Sequence, residues 1–185
     1  MAKLISKTYG DALFDVAVEN GVIDTLMEEA EAVIDIVKQH PDLMKLLNHP
    51  NVTKEEKFRV VEDVFSGRVS GEMYGLICVL VEKNRQGHIS EILDYFMARV
   101  KEHRRIGVVY ITSALPLNGS QKEKIEKKVL ATGKFAALEP HYEVDESLIG
   151  GLIIRIADRV VDSSVRGKLA RLTRELREFQ LNLAE

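Results

Sequence analysis

Between Ser147 and Leu169 the chain runs SLIGGLIIRIADRVVDSSVRGKL, bringing paired glycines, an Asp-Ser-Ser step and basic residues into one short stretch. Glycines ahead of a helix can bring backbone N–H groups against a phosphate, the chemistry of nucleotide-binding loops. That chemistry needs a Lys-Ser/Thr after the glycines, or a third glycine opening a helix. Gly150-Gly151 is followed instead by LIIRI, a β-branched run that reads as a strand. The pair therefore fits a bulge or a close backbone approach at a strand start, and phosphate binding is the weaker reading. Other chemistry is thin. His40, His49, His88, His103 and His141 are scattered, none four residues from another, so no metal-ligand set is expected. Cys78 lies inside the apolar run LICVLV and fits a small core hydrophobe better than a nucleophile, which needs an accessible, electropositive setting. The carboxylates of EEAEAV and KEEK fall on polar helix faces. No nucleophile–base set can be assembled, so no catalytic residue and no cofactor are expected.

Composition narrows the field further. With 185 residues the chain can form one large domain or two small ones, and a net charge of −3 gives no field that would recruit nucleic acid or an anionic membrane. One cysteine allows no internal disulfide, which fits a reducing compartment. The start, MAKLISKTYGDALF, is broken by polar residues too early for a secretory core, and LICVLV is far too short to span a bilayer. The expectation is a soluble, cytoplasmic-type chain whose contact with a membrane comes only through partners.

What positions these residues changes character near residue 105. Before it, the spacing predicts six helices. The first runs near Leu4–Asn20 and stops at Asn20-Gly21; the second covers about Val22–Gln39; a short third follows Pro41. Thr53 and Glu56 form a capping box before the fourth, Ser70 caps the fifth, and the sixth covers about His88–His103. Short connections between them predict a compact antiparallel bundle. From residue 106 the chain reads strand IGVVYITSA, a helix stopped by Gly133, strand LEPHYEVD, and then a hairpin turning at Ala157-Asp158. With no flexible linker visible, the sixth helix is expected to lead straight into this second domain. The fold class is thus mostly α: a six-helix bundle over 1–105, then a small α/β domain over 106–185 with a long final helix.

Two surfaces carry more apolar residues than the fold requires. In the first helix Ile5, Tyr9, Ala12, Leu13 and Val16 make one stripe while Gly10, Phe14 and Ala17 lie opposite; in the fifth, Leu76, Val79 and the stem of Lys83 extend the apolar face around its edge. Such helices are either central or form a groove for another amphipathic helix. The final helix, capped by Asp162, Ser163 or Ser164, spaces Val165, Leu169, Leu172, Leu176, Phe179 and Leu183 at three and four residues, a heptad-like seam. Its first part is expected to pack on the small sheet, and its distal part to meet a partner helix.

These residues resemble a known family. YGDALFDVAVENG is similar to the first helix, and LICVLVEKNRQGHISEILDYF to a central segment, of the delta subunit of bacterial F-type ATP synthase, the counterpart of the oligomycin-sensitivity-conferring protein. SLIGGLIIRIADRVVDSSVRGKLARL resembles the family signature most closely, with Gly151, Asp158, Asp162, Ser164, Val165, Arg166, Gly167 and Leu169 in register and Ala157 standing where a glycine is common. The resemblance covers essentially the whole chain. It implies a non-catalytic stator connector that links the catalytic head to the peripheral stalk and resists rotor torque during proton-coupled ATP synthesis, held peripherally on the cytoplasmic face of the cell membrane. It also implies partners. An alpha subunit's N-terminal helix would lie between the first and fifth helices, on Tyr9, Ala12, Leu76, Val79 and Lys83. The stalk b subunits would meet the last helix at Arg174, Leu176, Phe179 and Leu183. No homo-oligomer is expected. An RNA-binding module using the basic last helix is the alternative, but Tyr110 and Tyr142 are the only aromatics in the strands and make no expected stacking pair.

Overall fold

In the computed structural model the described residues are 2–182, with the side chains of Ala2 and of residues 176–182 outside the described set. The chain forms two compact units that divide between His103 and Arg104. The first consists of α1 (Ala2–Glu19), α2 (Ile23–Gln39), α3 (Pro41–Asn48), α4 (Lys54–Phe65), α5 (Gly71–Glu82) and α6 (Ile89–His103). Local chemistry sets these boundaries. Gly21 takes φ +68° after α1, and Pro41 occupies the first turn of α3, where its missing N–H leaves no bond unmade. Thr53 Oγ1 accepts the Glu56 N–H at 3.3 Å while Glu56 accepts the Thr53 N–H at 2.9 Å, so the capping box opening α4 is complete. The Thr53 N–H and the Thr53 hydroxyl, the latter at 3.1 Å, both donate to the Glu56 carboxylate and hold it below its ordinary value. Ser70 caps α5 by accepting the Met73 N–H.

Leu26, Ala30, Val33, Ile77, Leu80, Ile92, Phe96 and Val100 are sealed in the core of this unit. α1 buries Ser6, Gly10, Leu13, Phe14 and Ala17, and α6 clasps it through Tyr95 Oη, which donates to Asp11 Oδ1 at 3.1 Å. Burial and this carboxylate raise the Tyr95 hydroxyl's pKa. A 3-10 turn, Gln86–His88, precedes α6, so that helix begins at Ile89 and not at His88. α6 ends at His103 and β1 begins at Ile106, so only Arg104 and Arg105, the latter at φ +54°, connect them.

The second unit contains β1 (Ile106–Ser113), α7 (Gly119–Leu130), β2 (Ala137–Val144), β3 (Leu152–Ile156), β4 (Arg159–Asp162) and α8 (Val165–Asn182). The sheet order is β2-β1-β3-β4, with β1 and β2 parallel and the other pairs antiparallel. A parallel pair needs a crossover, and α7 supplies it, opened by an Asn118–Gln121 capping box that the sequence reading did not pick out. Strand parity then sorts the residues. Val109 and Ile111 are 1% exposed beneath α7, whereas Tyr110 on the other face is 49% exposed. Tyr142, in register with Ile111, faces α7 and donates to Glu126 Oε1 at 2.7 Å. Burial, with the Glu126 carboxylate beside it, pushes the Tyr142 hydroxyl up to about 12. The two strand tyrosines thus lie on opposite faces and cannot form a stacking platform; Tyr110 instead stacks on His141, with ring centroids 5.0 Å apart.

At the β3–β4 turn Ala157 has φ +48°, while Asp158 is not among the positive-φ residues. A single positive φ at the first central position is the pattern of a type II′ turn, where glycine is favoured. An L-residue there costs about 1–2 kcal/mol, partly offset in a glycine variant by the greater freedom of its unfolded chain. Ala157→Gly is therefore expected to stabilise the second unit by roughly 0.5–1 kcal/mol, read as a rise in its denaturation midpoint.

Candidate partner-binding surfaces

The α1–α5 pair carries the first surface. Asn20 Nδ2 donates to Glu72 Oε1 at 3.0 Å, tying the end of α1 to the start of α5, and the Arg85 guanidinium lies 5.6 Å from the Tyr9 ring centroid beyond the end of α5. The two helices therefore run antiparallel. Glu72, Leu76, Val79 and Lys83 recur at i, i+4, i+7 and i+11, so the edge of α5 that meets Asn20 also carries the predicted residues. Along α1, Ile5 and Tyr9 are half-buried, Ala12 is exposed and Val16 is 38% exposed; along α5, Leu76 is half-buried, Val79 is 40% exposed and Lys83 is exposed. Leu13, expected on this stripe, is instead 4% exposed in the core with Phe14 and Ala17, because the buried face of α1 is wide enough to take it, and Ile5, Tyr9 and Leu76 pack partly against that core; what folding leaves exposed is the edge carrying Ala12, Val16 and Val79. Gly75, one turn before Val79, presents open space where a side chain would stand. Glycine inside a helix costs roughly 1 kcal/mol relative to alanine, and that unexplained cost was a signal available in the sequence.

The second surface is α8, and the Ser147–Leu169 stretch explains how it is held. Gly151 has φ +79°, and a Cβ there would overlap the Ser163 carbonyl. Around this contact the chain is knotted by backbone bonds: Val165 N–H to Gly150 O at 2.9 Å, Ser163 N–H to Leu152 O at 2.9 Å, and Ala114 N–H to Gly151 O at 3.3 Å. Ser164, 1% exposed, caps α8 by accepting the Gly167 N–H at 3.0 Å. Asp162 Oδ1 accepts the Ser164 N–H at 2.8 Å; the Ser164 side chain and this N–H hold its carboxyl below the ordinary range, and that carboxylate rests where a side chain on Gly167 would stand. Arg166 Nη1 donates to Ser147 Oγ at 3.0 Å. Asp158 is exposed in the hairpin turn. Gly151 faces the Ser163–Ser164 backbone and Gly150 the Val165 side chain at the capped start of α8, so the stretch is a joint and not a phosphate cradle.

Beyond its first turn α8 differs from the expectation. Val165, Leu169 and Leu172 are 38%, 52% and 51% exposed, so the first part of the seam is not packed on the sheet. The reason lies in the joint: it fixes α8 beside the 3-10 turn Glu146–Leu148, where the 4%-exposed Leu148 is buried, and the sheet core is completed by α7. Arg174 is exposed. The side chains of Leu176 and Phe179, and all of Leu183, lie outside the described residues. Cys78 is half-buried against the bundle core rather than sealed within it. Among the described residues no group of His, Cys, Asp or Glu is placed to hold a metal, and no helix is long and apolar enough to cross a membrane.

The family model described as ATP synthase delta (OSCP) subunit matches residues 5–176. ATP synthase subunit delta of Lachnoclostridium phytofermentans is 51% identical over 98% of this chain and 100% of its own length. The same-named protein of Desulforudis audaxviator is 32% identical over 96% of this chain and 97% of its own. A chain in the cryo-EM structure of the Toxoplasma gondii mitochondrial ATP synthase hexamer superposes with a TM-score of 0.69 at 20% identity, covering 92% of this chain and 96% of that one. At that identity the likeness is one of fold.

Proposed function

The chain belongs to the ATP synthase delta (OSCP) subunit family, and from that membership we propose that it is the peripheral-stalk connector of an F-type ATP synthase. It is a structural subunit of a complex that is itself the enzyme. Its task is mechanical: it joins the catalytic head to the stalk so that the head resists rotor torque during proton-coupled ATP synthesis. The subunit does no bond chemistry of its own and reaches the cytoplasmic face of the membrane only through its partners.

The observation that carries the finer reading is the apolar stripe that folding leaves exposed along α1 and α5. An amphipathic helix laid along it would bury Tyr9, Ala12, Leu76 and Val79, and Lys83 would take a carboxylate at its edge. The occupant is the N-terminal helix of an alpha subunit. The b subunits meet α8, whose seam at Val165, Leu169 and Leu172 is uncovered and whose other side carries Arg166, Arg171 and Arg174.

Capture of head and stalk subunits by the full chain and by a chain ending at Leu176 separates the two contacts. Truncation is expected to weaken capture of b about tenfold while leaving capture of alpha unchanged, since each tenfold step is only about 1.4 kcal/mol of lost contact. Equal retention of b by both chains would place the stalk contact elsewhere than the end of α8.

A further inference from the structure

The stop that ends α1 is also a reactive pair. Asn20-Gly21 and Asn118-Gly119 are the two Asn-Gly steps in the sequence. After an asparagine, the next backbone nitrogen can attack the side-chain carbonyl carbon, and glycine, having no Cβ, hinders that approach least. The two pairs are held very differently. Asn118 caps α7: its Oδ1 accepts the Gln121 N–H and the Ser120 hydroxyl, both at 2.9 Å, within a complete capping box. Both bonds must break before the Asn118 carbonyl can turn toward Gly119. Asn20 and Gly21 are exposed, and the Asn20 amide is tied through its nitrogen alone, Nδ2 to Glu72 Oε1 at 3.0 Å. Among the described residues no donor holds the Asn20 Oδ1. The Gly21 N–H is bound loosely, to Val18 O at 3.3 Å. Apart from chain neighbours, no atom lies within 4 Å of where a Gly21 Cβ would stand, so rotation there meets nothing.

We propose that Asn20 is a site of self-modification, converted to a carboxylate by the Gly21 nitrogen and water. The Gly21 nitrogen bonds to Asn20 Cγ, and the Cγ–Nδ2 bond breaks. The proton lost by Gly21 passes through solvent to the departing nitrogen, which leaves as ammonia. Water then adds to one carbonyl of the cyclic imide and cleaves its C–N bond, giving aspartate or its β-linked isomer; nothing is oxidised or reduced. Either product removes the Nδ2 donor and sets a negative charge against Glu72, so the bond between the end of α1 and the start of α5 becomes a repulsion. The new charge also falls at the C-terminal end of α1, where the helix dipole disfavours it, whereas Glu72 in the first turn of α5 stays favoured. The chain thus carries a slow mark of age that loosens one end of the α1–α5 pair. That the mark weakens a bound helix rests on reading the α1–α5 edge as its seat; the conversion and the lost tie do not.

The test is incubation of the full chain in warm, mildly alkaline buffer, then proteolysis and mass spectrometry of the peptides carrying Asn20 and Asn118. The Asn20 peptide is expected to gain the mass of an amide-to-acid exchange, with β-linked product present and one oxygen taken from isotopically labelled water. Two hydrogen bonds guard Asn118, so its peptide should convert about tenfold more slowly, and in denaturant the two rates should converge. Asn20→Gln, whose longer side chain disfavours the ring, should abolish conversion while keeping an amide donor. Asn20→Asp should lower the denaturation midpoint of the first unit, and Asn20→Asp/Glu72→Gln should recover it, because a donor again meets a carboxylate. Asn20 left unconverted, equal rates at the two sites in the folded chain, or an Asn20→Asp chain as stable as the parent would each overturn the proposal. The alpha N-terminal peptide is expected to bind Asn20→Asp roughly fivefold more weakly than the parent. Binding by neither chain would overturn the reading of the edge as a seat, whereas equal binding by both would overturn the effect of the mark on it.

Discussion

Replacing Gly151 with alanine is expected to cost the second unit roughly 2–5 kcal/mol. Two effects add. A φ of +79° costs an L-residue about 1–2 kcal/mol. The new methyl would also stand against the Ser163 carbonyl and the Ser164 Cα, which are backbone and cannot turn aside as a side chain would. Overpacking of that kind costs about 1–3 kcal/mol. Relief would have to come from breaking the bonds from Val165 to Gly150 and from Ser163 to Leu152, freeing α8 from the sheet. Amide hydrogen exchange on the full chain checks this: β3, β4 and the first turn of α8 should lose protection while α2 and α6 keep theirs. A loss of less than about 1 kcal/mol would show that the joint yields easily.

The second large effect is expected at Val79. Its side chain is 40% exposed, so Val79→Asp should change the stability of the free bundle by less than about 1 kcal/mol. In a complex with the alpha-subunit helix the same carboxylate would be buried without a partner, at several kcal/mol. Binding of the alpha N-terminal peptide, measured by calorimetry, should fall about 100-fold or more, with Val79→Ala falling much less. Unchanged affinity would remove Val79 from the interface, and lost helicity in the free variant would make it a core residue.

The sequence is informative where its physics is local. Thr53 and Glu56, Ser70, Pro41 and the Gly21 stop act within one turn, so their residue types announce the helix ends directly. The Ser147–Leu169 stretch was legible in kind, because LIIRI after the glycines excluded a helix there. What Gly151 touches was not legible, since Ser163 arrives only after the hairpin has closed. Ser70 makes the same point: its N–H and Oγ both donate to Glu29, from a helix 41 residues earlier, and no local pattern reports that bond. α8 was misread for a related reason. Its seam has the spacing of a core helix, and periodicity records an apolar stripe without saying whether a neighbour covers it.

The joint at Gly151 also bears on how tension would pass through the molecule. A pull entering along α8 reaches the capped turn at Ser164 and is handed by Val165 to Gly150 and by Ser163 to Leu152. Gly151 passes it on through its carbonyl to Ala114, at the end of the central strand β1. Two backbone bonds thus take the strain from α8, one at Leu152 on β3 and one at Gly150 just before it, and a third links Gly151 to the end of β1; β3 is itself laced to β1 on one side and β4 on the other. A terminal helix fastened in this way behaves as a tether rooted in the middle of a sheet, where peeling away one outer strand does not release it.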